Sequence, residues 1–177
     1  PVSAALSSAA IVPPTVLMLM REYTEACRLY GCGGRINAGV LTAFRFSLPA
    51  IRCSGSFHDA DMLALVDILL KHSNTTLSHV RRLDFSISSK EGRLHGRKGF
   101  TSHGAYALST VLRQSRYVEE VFLQRNQIGP FGAIAIFKAA SRNESLKCLL
   151  MRRCTVMEKG ALVFAKDCVL GEGCGLR

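Results

Sequence analysis

Two stretches of the chain superimpose without a gap: Val118-Glu-Glu-Val121-Phe-Leu123-Gln-Arg-Asn126-Gln-Ile128, followed by Gly132-Ala133, and Leu146-Lys-Cys-Leu149-Leu-Met151-Arg-Arg-Cys154-Thr-Val156, followed by Gly160-Ala161. Equivalent residues stand 28 positions apart throughout, 146 against 118 and 160 against 132. A fixed period of this length marks structural units that stack on one another. Apolar residues at unit positions 1, 4 and 6 describe a short strand whose side chains at 4 and 6 share one face. A segment of helical spacing follows, as in Ala107, Leu108, Val111 and Leu112 of the preceding copy. One short strand and one helix cannot cover both apolar faces alone. Copies laid side by side are therefore expected to build a parallel sheet on one wall and a row of helices on the other.

Working outward, an earlier copy fits the same frame with Val80, Leu83 and Phe85, then Phe100, Gly104-Ala105, Ala107-Leu108 and Val111-Leu112. It is 38 residues long and holds a ten-residue insertion between Ser88 and Phe100. A degenerate fourth copy has Phe57, Ala64-Leu65 and Ile68-Leu69 for its helix. Its strand half, around Phe46–Arg52, matches poorly and contains Pro49. The units span about 46–79, 80–117, 118–145 and 146–175. Residues 15–45 do not repeat. Val16, Met18, Met20, Tyr23, Ala26 and Leu29 predict a helix ending at Gly31-Cys32-Gly33-Gly34, with a second over Asn37–Phe44, together a helical cap over the first unit. Leu176 falls 30 residues after Leu146, where another strand is due. The natural protein is therefore expected to continue past Arg177, and a chain ending there to self-associate through the edge Cys148–Arg152.

These residues resemble the ribonuclease-inhibitor-like subtype of leucine-rich repeats, with its units of 28 to 29 residues, Asn or Cys after the strand, and Gly-Ala opening the helix. The resemblance covers residues 46–177 and is strongest over 80–170. It implies an α/β solenoid with parallel strands on the concave side and helices on the convex side. It is nearly silent on function, because function lives in sites placed on a fold.

Composition narrows the classes. An apolar fraction of 48% and a charged fraction of 20% over 177 residues suit one folded domain. The net charge of +10 would draw anions, yet the charges are dispersed, and sequence-reading of nucleic acid is not expected. Aromatic content of 7% with no Trp disfavours stacking platforms for sugars or single strands. Seven cysteines, an odd count with no C-x-x-C, argue against a secreted disulfide framework and against the usual zinc spacing. Residues 1–20 lack a basic region before Arg21, and Pro13-Pro14 interrupts them. They fit a secretory signal or a spanning helix poorly, so a membrane anchor is the less expected reading of them. Opening on Pro rather than Met, the chain is read as trimmed or as a piece of a longer protein, with residues 1–14 a flexible lead.

If positions 4 and 6 are committed to the core, positions 3, 5 and 7 face the concave side. That column reads Arg82, Asp84 and Ser86, then Glu120, Phe122 and Gln124, then Cys148, Leu150 and Arg152. Phe122 and Leu150 should be neighbours, a pair of large apolar groups flanked by charge, as in a binding hot spot; stacking on one another is the plainer alternative. Arg125, Arg152 and Arg153 lie near the strand ends, where planar guanidinium forks suit an acidic partner, or simply a solvated edge. The insertion supplies Lys90, Arg93, His95, Arg97 and Lys98 against one Glu, a basic loop open to contact or to solvent alone.

Other motifs read as structural. His58-Asp59-Ala60-Asp61 is expected to cap a helix beginning near Met62 rather than to hold a metal. Asn74-Thr-Thr and Asn143-Glu-Ser match the glycosylation acceptor pattern, but both follow a helix and precede a strand, where Asn commonly ends helices. Asn126 and Cys154 share the turn position, and their buried polar groups are expected to satisfy loop donors. Gly171-Glu-Gly173-Cys-Gly175 reads as a helix-to-strand connection. No nucleophile, base and acid combine as a catalytic set.

The leading expectation is a non-enzymatic, cytoplasmic scaffold, without cofactor or metal, that binds an acidic protein partner on the concave face. Cilium and centrosome are settings that the resemblance also implies. Two further readings come with it: a small-GTPase regulator like the Ran GTPase-activating protein, which so basic a chain fits badly, and the sensing tail of a larger immune-type receptor.

Overall fold

The computed structural model describes residues 12–32, 34–72, 75–87 and 99–166. Six helices and four strands lie among them: α1 (Pro14–Leu29), α2 (Ala38–Arg45), β1 (Ala50–Arg52), α3 (Asp59–His72), β2 (Arg82–Asp84), α4 (Ser102–Gln114), β3 (Glu120–Phe122), α5 (Gly129–Ala140), β4 (Cys148–Leu150) and α6 (Met157–Phe164). The architecture is α/β, with one four-stranded parallel sheet whose strands pair in sequence order. The basic insertion at 88–98, Asn74, residues 1–11 of the lead and the chain from 167 onward, with its glycine cluster and Leu176, lie outside the described residues.

Each strand is three residues long, so its placement depends on its neighbours. Leu83 pairs with Val121, and Val121 with Leu149, which realises the 38- and 28-residue spacings as physical register. Ile51 joins the same row beside Leu83. Ile51, Leu83 and Val121 are fully buried, and Leu149 packs partly against the core. Pro49 stands just before β1, where its carbonyl accepts from the amides of Arg81 and Arg82. The carbonyls of Arg81 and Glu119 do the same for the next two strands. A proline is tolerated there because it still supplies that acceptor.

The helices pack in succession, α3 on α4, α4 on α5 and α5 on α6, while α1 lies on α3 and α2 abuts β1. Glycine sets the closeness of that row. A Cβ on Gly132 would stand 2.9 Å from the Ala105 methyl and 2.7 Å from Ile128 Cγ2. On Gly160 it would meet Val156 Cγ1 at 2.7 Å. At Gly132 the Gly-Ala step is thus a steric requirement of helix-on-helix packing, while at Gly160 the tight contact is with the residue just before its own helix. Between helices and sheet, Phe57 stacks on Phe85 and Phe85 meets Phe100 edge-on, at centroid distances of 5.3 and 6.1 Å.

Buried polar side chains fix both ends of the strands. Before β3, the Ser115 hydroxyl accepts from the amides of Tyr117 and Val118. Before β4, 28 residues on, Asn143 Oδ1 accepts from Ser145 and Leu146, and its amide donates to the carbonyls of Leu112 and Ser115. So Asn143 is buried, shapes the turn before the strand, and ties it to the C-terminal carbonyls of the neighbouring helix α4. After the strands, Asn126 Nδ2 donates to the carbonyls of Phe85 and Leu123 at 2.9 Å each, and Cys154 Sγ donates to Leu123 O at 2.9 Å. Asn126 therefore satisfies carbonyl acceptors rather than the loop donors expected of it, whereas the Cys154 sulfur also meets the backbone amides of Arg125 and Asn126.

Several boundaries differ from expectation. Helix α1 opens at Pro14, inside the stretch read as lead, because proline suits the first helical turn. Helix α2 is Ala38–Arg45 with Asn37 as its N-cap, accepting from Gly39 and Val40. Helix α3 starts at Asp59 rather than near Met62. Asp61 accepts from the His58 amide at 2.8 Å, while Asp59 serves the following helix, accepting from the Thr101 amide, the Thr101 hydroxyl and the Gly104 amide. Leu123 is fully buried but its counterpart Met151 only partly so, since β4 has a strand beside it on one side alone among the described residues.

Two measurements follow. Leu123→Ala should cost about 2–5 kcal/mol as a cavity substitution, whereas Gln124→Ala, turned away from the core, should stay within about 0.5 kcal/mol; a larger loss for Gln124→Ala in denaturant melts would put the strand out of phase. Burial opposes the Asp59 charge, but the hydrogen bonds from Thr101 and Gly104 outweigh it, with His103 assisting, and hold its carboxyl below the ordinary 3.8. That stabilisation is present above the ordinary value and is lost as pH falls through the lowered one. Asp59→Asn should therefore lower the unfolding midpoint at pH 7, and the gap to wild type should narrow as the pH is taken below about 4.

Candidate functional site

The sheet face turned away from the helices carries the residues flanking the buried row: Arg82, Asp84, Glu120, Phe122, Cys148 and Leu150. All are part-exposed or exposed. A groove of about 900 Å³ lies over this face. Residues Ala38, Gly39 and Thr42 of α2 and Leu48 form one wall, and Asp84, Phe122 and Leu150 lie on its floor. Helix α2 reaches the sheet because residue 39 is glycine. A Cβ there would stand 1.9 Å from the Arg52 carbonyl oxygen.

Charge on the floor is largely self-compensating. Arg52 Nε meets Asp84 Oδ2 at 3.0 Å, and Asp84 Oδ1 also accepts from the Ser86 amide at 3.1 Å. Arg82 pairs with Glu120, which raises the affinity of its guanidinium for its proton, and lies over the Phe122 ring at 5.1 Å. At the start of the strands, Glu119 meets Lys147 at 2.7 Å and Arg81 at 3.6 Å. The Lys147 ammonium holds the Glu119 carboxyl below its ordinary range. Exposed pairs of this kind contribute little to stability. Their consequence here is that the acids of the strands already have cations.

Two features remain uncompensated. Phe122 and Leu150 are register partners on adjacent strands, Phe122 half-buried and Leu150 exposed. Beyond them, Gln124, Arg125, Arg152 and Arg153 leave the strands and enter the turns, where together they line a small cavity of about 110 Å³. The Arg125 amide donates to the Arg152 carbonyl at 2.9 Å, holding the two turns side by side. None of these three arginines has an acidic partner among the described residues.

Arg82, Asp84, Glu120, Phe122, Gln124, Leu150, Arg152 and Arg153, expected from the strand phase to lie together, share this face and its end. The strand phase did not reveal Arg52 or the α2 wall. Arg52 was legible in principle, since it sits one strand over from Asp84, but the degenerate strand around Pro49 hid the register. Lys90, Arg93, His95, Arg97 and Lys98 lie outside the described residues.

Elsewhere, burial pushes the Cys27 and Cys154 thiols up, and that of Cys32 up to about 12, which disfavours the nucleophilic thiolate. Among the described residues, no three His, Cys, Asp or Glu side chains gather as a metal-holding group, and no helix is long and apolar enough to cross a membrane. Compared with known proteins, the chain matches no family model and no curated protein.

Proposed function

We propose that the chain is a leucine-rich-repeat solenoid of the ribonuclease-inhibitor type and acts as a non-enzymatic, cytoplasmic scaffold that binds a protein partner on its open sheet face. Parallel strands paired in sequence order, helices packed in succession and the shared Asn/Cys turn position support the fold reading. Free thiols at Cys27, Cys32, Cys53, Cys148 and Cys154 suit a reducing compartment.

The observation that carries the functional reading is the pairing of Phe122 with Leu150 on an otherwise charge-compensated floor. An apolar pair with satisfied ion pairs on one side and arginines at the end of the strands has the composition of a hot spot, an apolar centre inside a polar rim. The arginines at the end of the strands favour a partner with an acidic or otherwise anionic patch.

The test is affinity purification from an extract of the source cells with three baits: wild type, the Phe122→Ala/Leu150→Ala double variant, and Tyr106→Ala on the exposed helical side. The account expects a partner held by wild type and Tyr106→Ala and lost with the double variant, a loss of about 2 kcal/mol or more in binding. A partner kept by the double variant and lost with Tyr106→Ala would move the binding surface to the helices.

A further inference from the structure

We infer that Gln124, Arg125, Arg152 and Arg153 form an oxyanion site that takes the phosphate of a phosphorylated side chain, in a peptide whose apolar residue rests on Phe122 and Leu150. The inference rests on the interaction reading above and adds the chemistry of the ligand. Four residues line the cavity, three of them arginines, and its volume of about 110 Å³ suits one small anionic group rather than a whole peptide segment. The neighbouring acids cannot fill it: Asp84 is engaged by Arg52, Glu120 by Arg82, and Glu119 by Lys147 and Arg81. Three arginines that line one cavity with no acidic partner among the described residues leave positive charge there, which an arriving anion would offset. A phosphate dianion offers more charge and more acceptor oxygens than a carboxylate, and guanidinium forks match it in bidentate fashion.

The backbone points the same way. Arg125 and Arg153 have φ of 66° and 60°, in the left-handed region that disfavours side chains. Each stands three residues past the end residue of its strand row, Phe122 or Leu150. Three residues past Arg52 in β1, that turn position is Gly55, with φ of 79°. A glycine would meet the geometric need in these three turns; the fourth, at Ile87 after β2, is not left-handed. Arginine at two of them is a strained choice where the β1 turn uses glycine, as strained as Ser47, Thr155 and Met157 elsewhere in the chain, and strain of this kind can accompany a binding site. Spacing completes the picture. Phe122 and Arg125 are three residues apart with a turn between them, so an extended ligand with two residues between its apolar and phosphorylated positions, at about 3.3 Å per residue, is long enough to span them.

Fluorescence anisotropy on the full chain tests this, using a labelled synthetic peptide with Leu and phosphoserine separated by two residues in a Gly/Ser background. Its unphosphorylated form and a Glu-for-phosphoserine form serve as controls. The phosphopeptide is expected to bind about tenfold or more tightly than either control, and millimolar inorganic phosphate should weaken it. Arg125→Gly and Arg153→Gly should each cost about tenfold in phosphopeptide binding while keeping or raising the unfolding midpoint. Arg81→Gln, which removes a partnered arginine, should leave binding unchanged. Equal binding of the three peptides overturns the inference, as does a loss with Arg81→Gln matching that with Arg153→Gly. A lower midpoint for both glycine variants with phosphopeptide binding intact would make the arginines structural and overturn it too. Treating the purified partner with phosphatase separates the two proposals. A partner still retained through Phe122 and Leu150 keeps the interaction reading and removes the phosphate site; a partner independent of that pair removes the reading beneath it.

Discussion

Strands of three residues leave little room for a sheet to choose its own register, and everything on the open face depends on how that register is held. Buried polar side chains hold it from both ends. Ser115 and Asn143 tie the turns before β3 and β4, while Asn126 and Cys154 tie the turns after them to the carbonyls of the preceding strand. Each of these groups is out of water, so leaving any one unmatched costs more than an ordinary hydrogen bond contributes. A one-residue slip would leave several unmatched together and would turn the apolar row of Ile51, Leu83 and Val121 outward.

From that register the rest of the surface follows. Because Leu83, Val121 and Leu149 face the helices, the alternate residues must face outward, and parallel pairing lines them up by position. Opposite charges then meet across strands, Arg52 with Asp84 and Arg82 with Glu120, while Phe122 meets Leu150. The helix row imposes a second constraint from behind, since Gly132 lets α5 approach Ala105 more closely than any side chain would allow. Close helix packing behind and a locked register give the front face fixed spacing.

Much of this was legible in the amino-acid sequence. The period between 118 and 146 is carried by apolar positions that must be buried, so it fixed the strand phase and brought Phe122 beside Leu150. What stayed hidden was set by partners distant in sequence. Asp59 looks like a cap for its own helix, yet it crosses 42 residues to bind Thr101. Asn126 is visible as a turn residue, but only the carbonyls around it determine that it donates rather than accepts. Arg52 could not be placed opposite Asp84 while Pro49 obscured where β1 begins. The left-handed turns at Arg125 and Arg153 are hidden for a different reason, because arginine there runs against local preference.

The in-register stacking of these units is the central claim, and through-hydrogen-bond NMR couplings test it most directly. Such couplings should connect the Leu123 amide to the Leu150 carbonyl, the Arg125 amide to the Arg152 carbonyl, and the Phe85 amide to the Phe122 carbonyl. Couplings to carbonyls displaced by one residue, or rapid exchange of all three amides with solvent, would contradict the account.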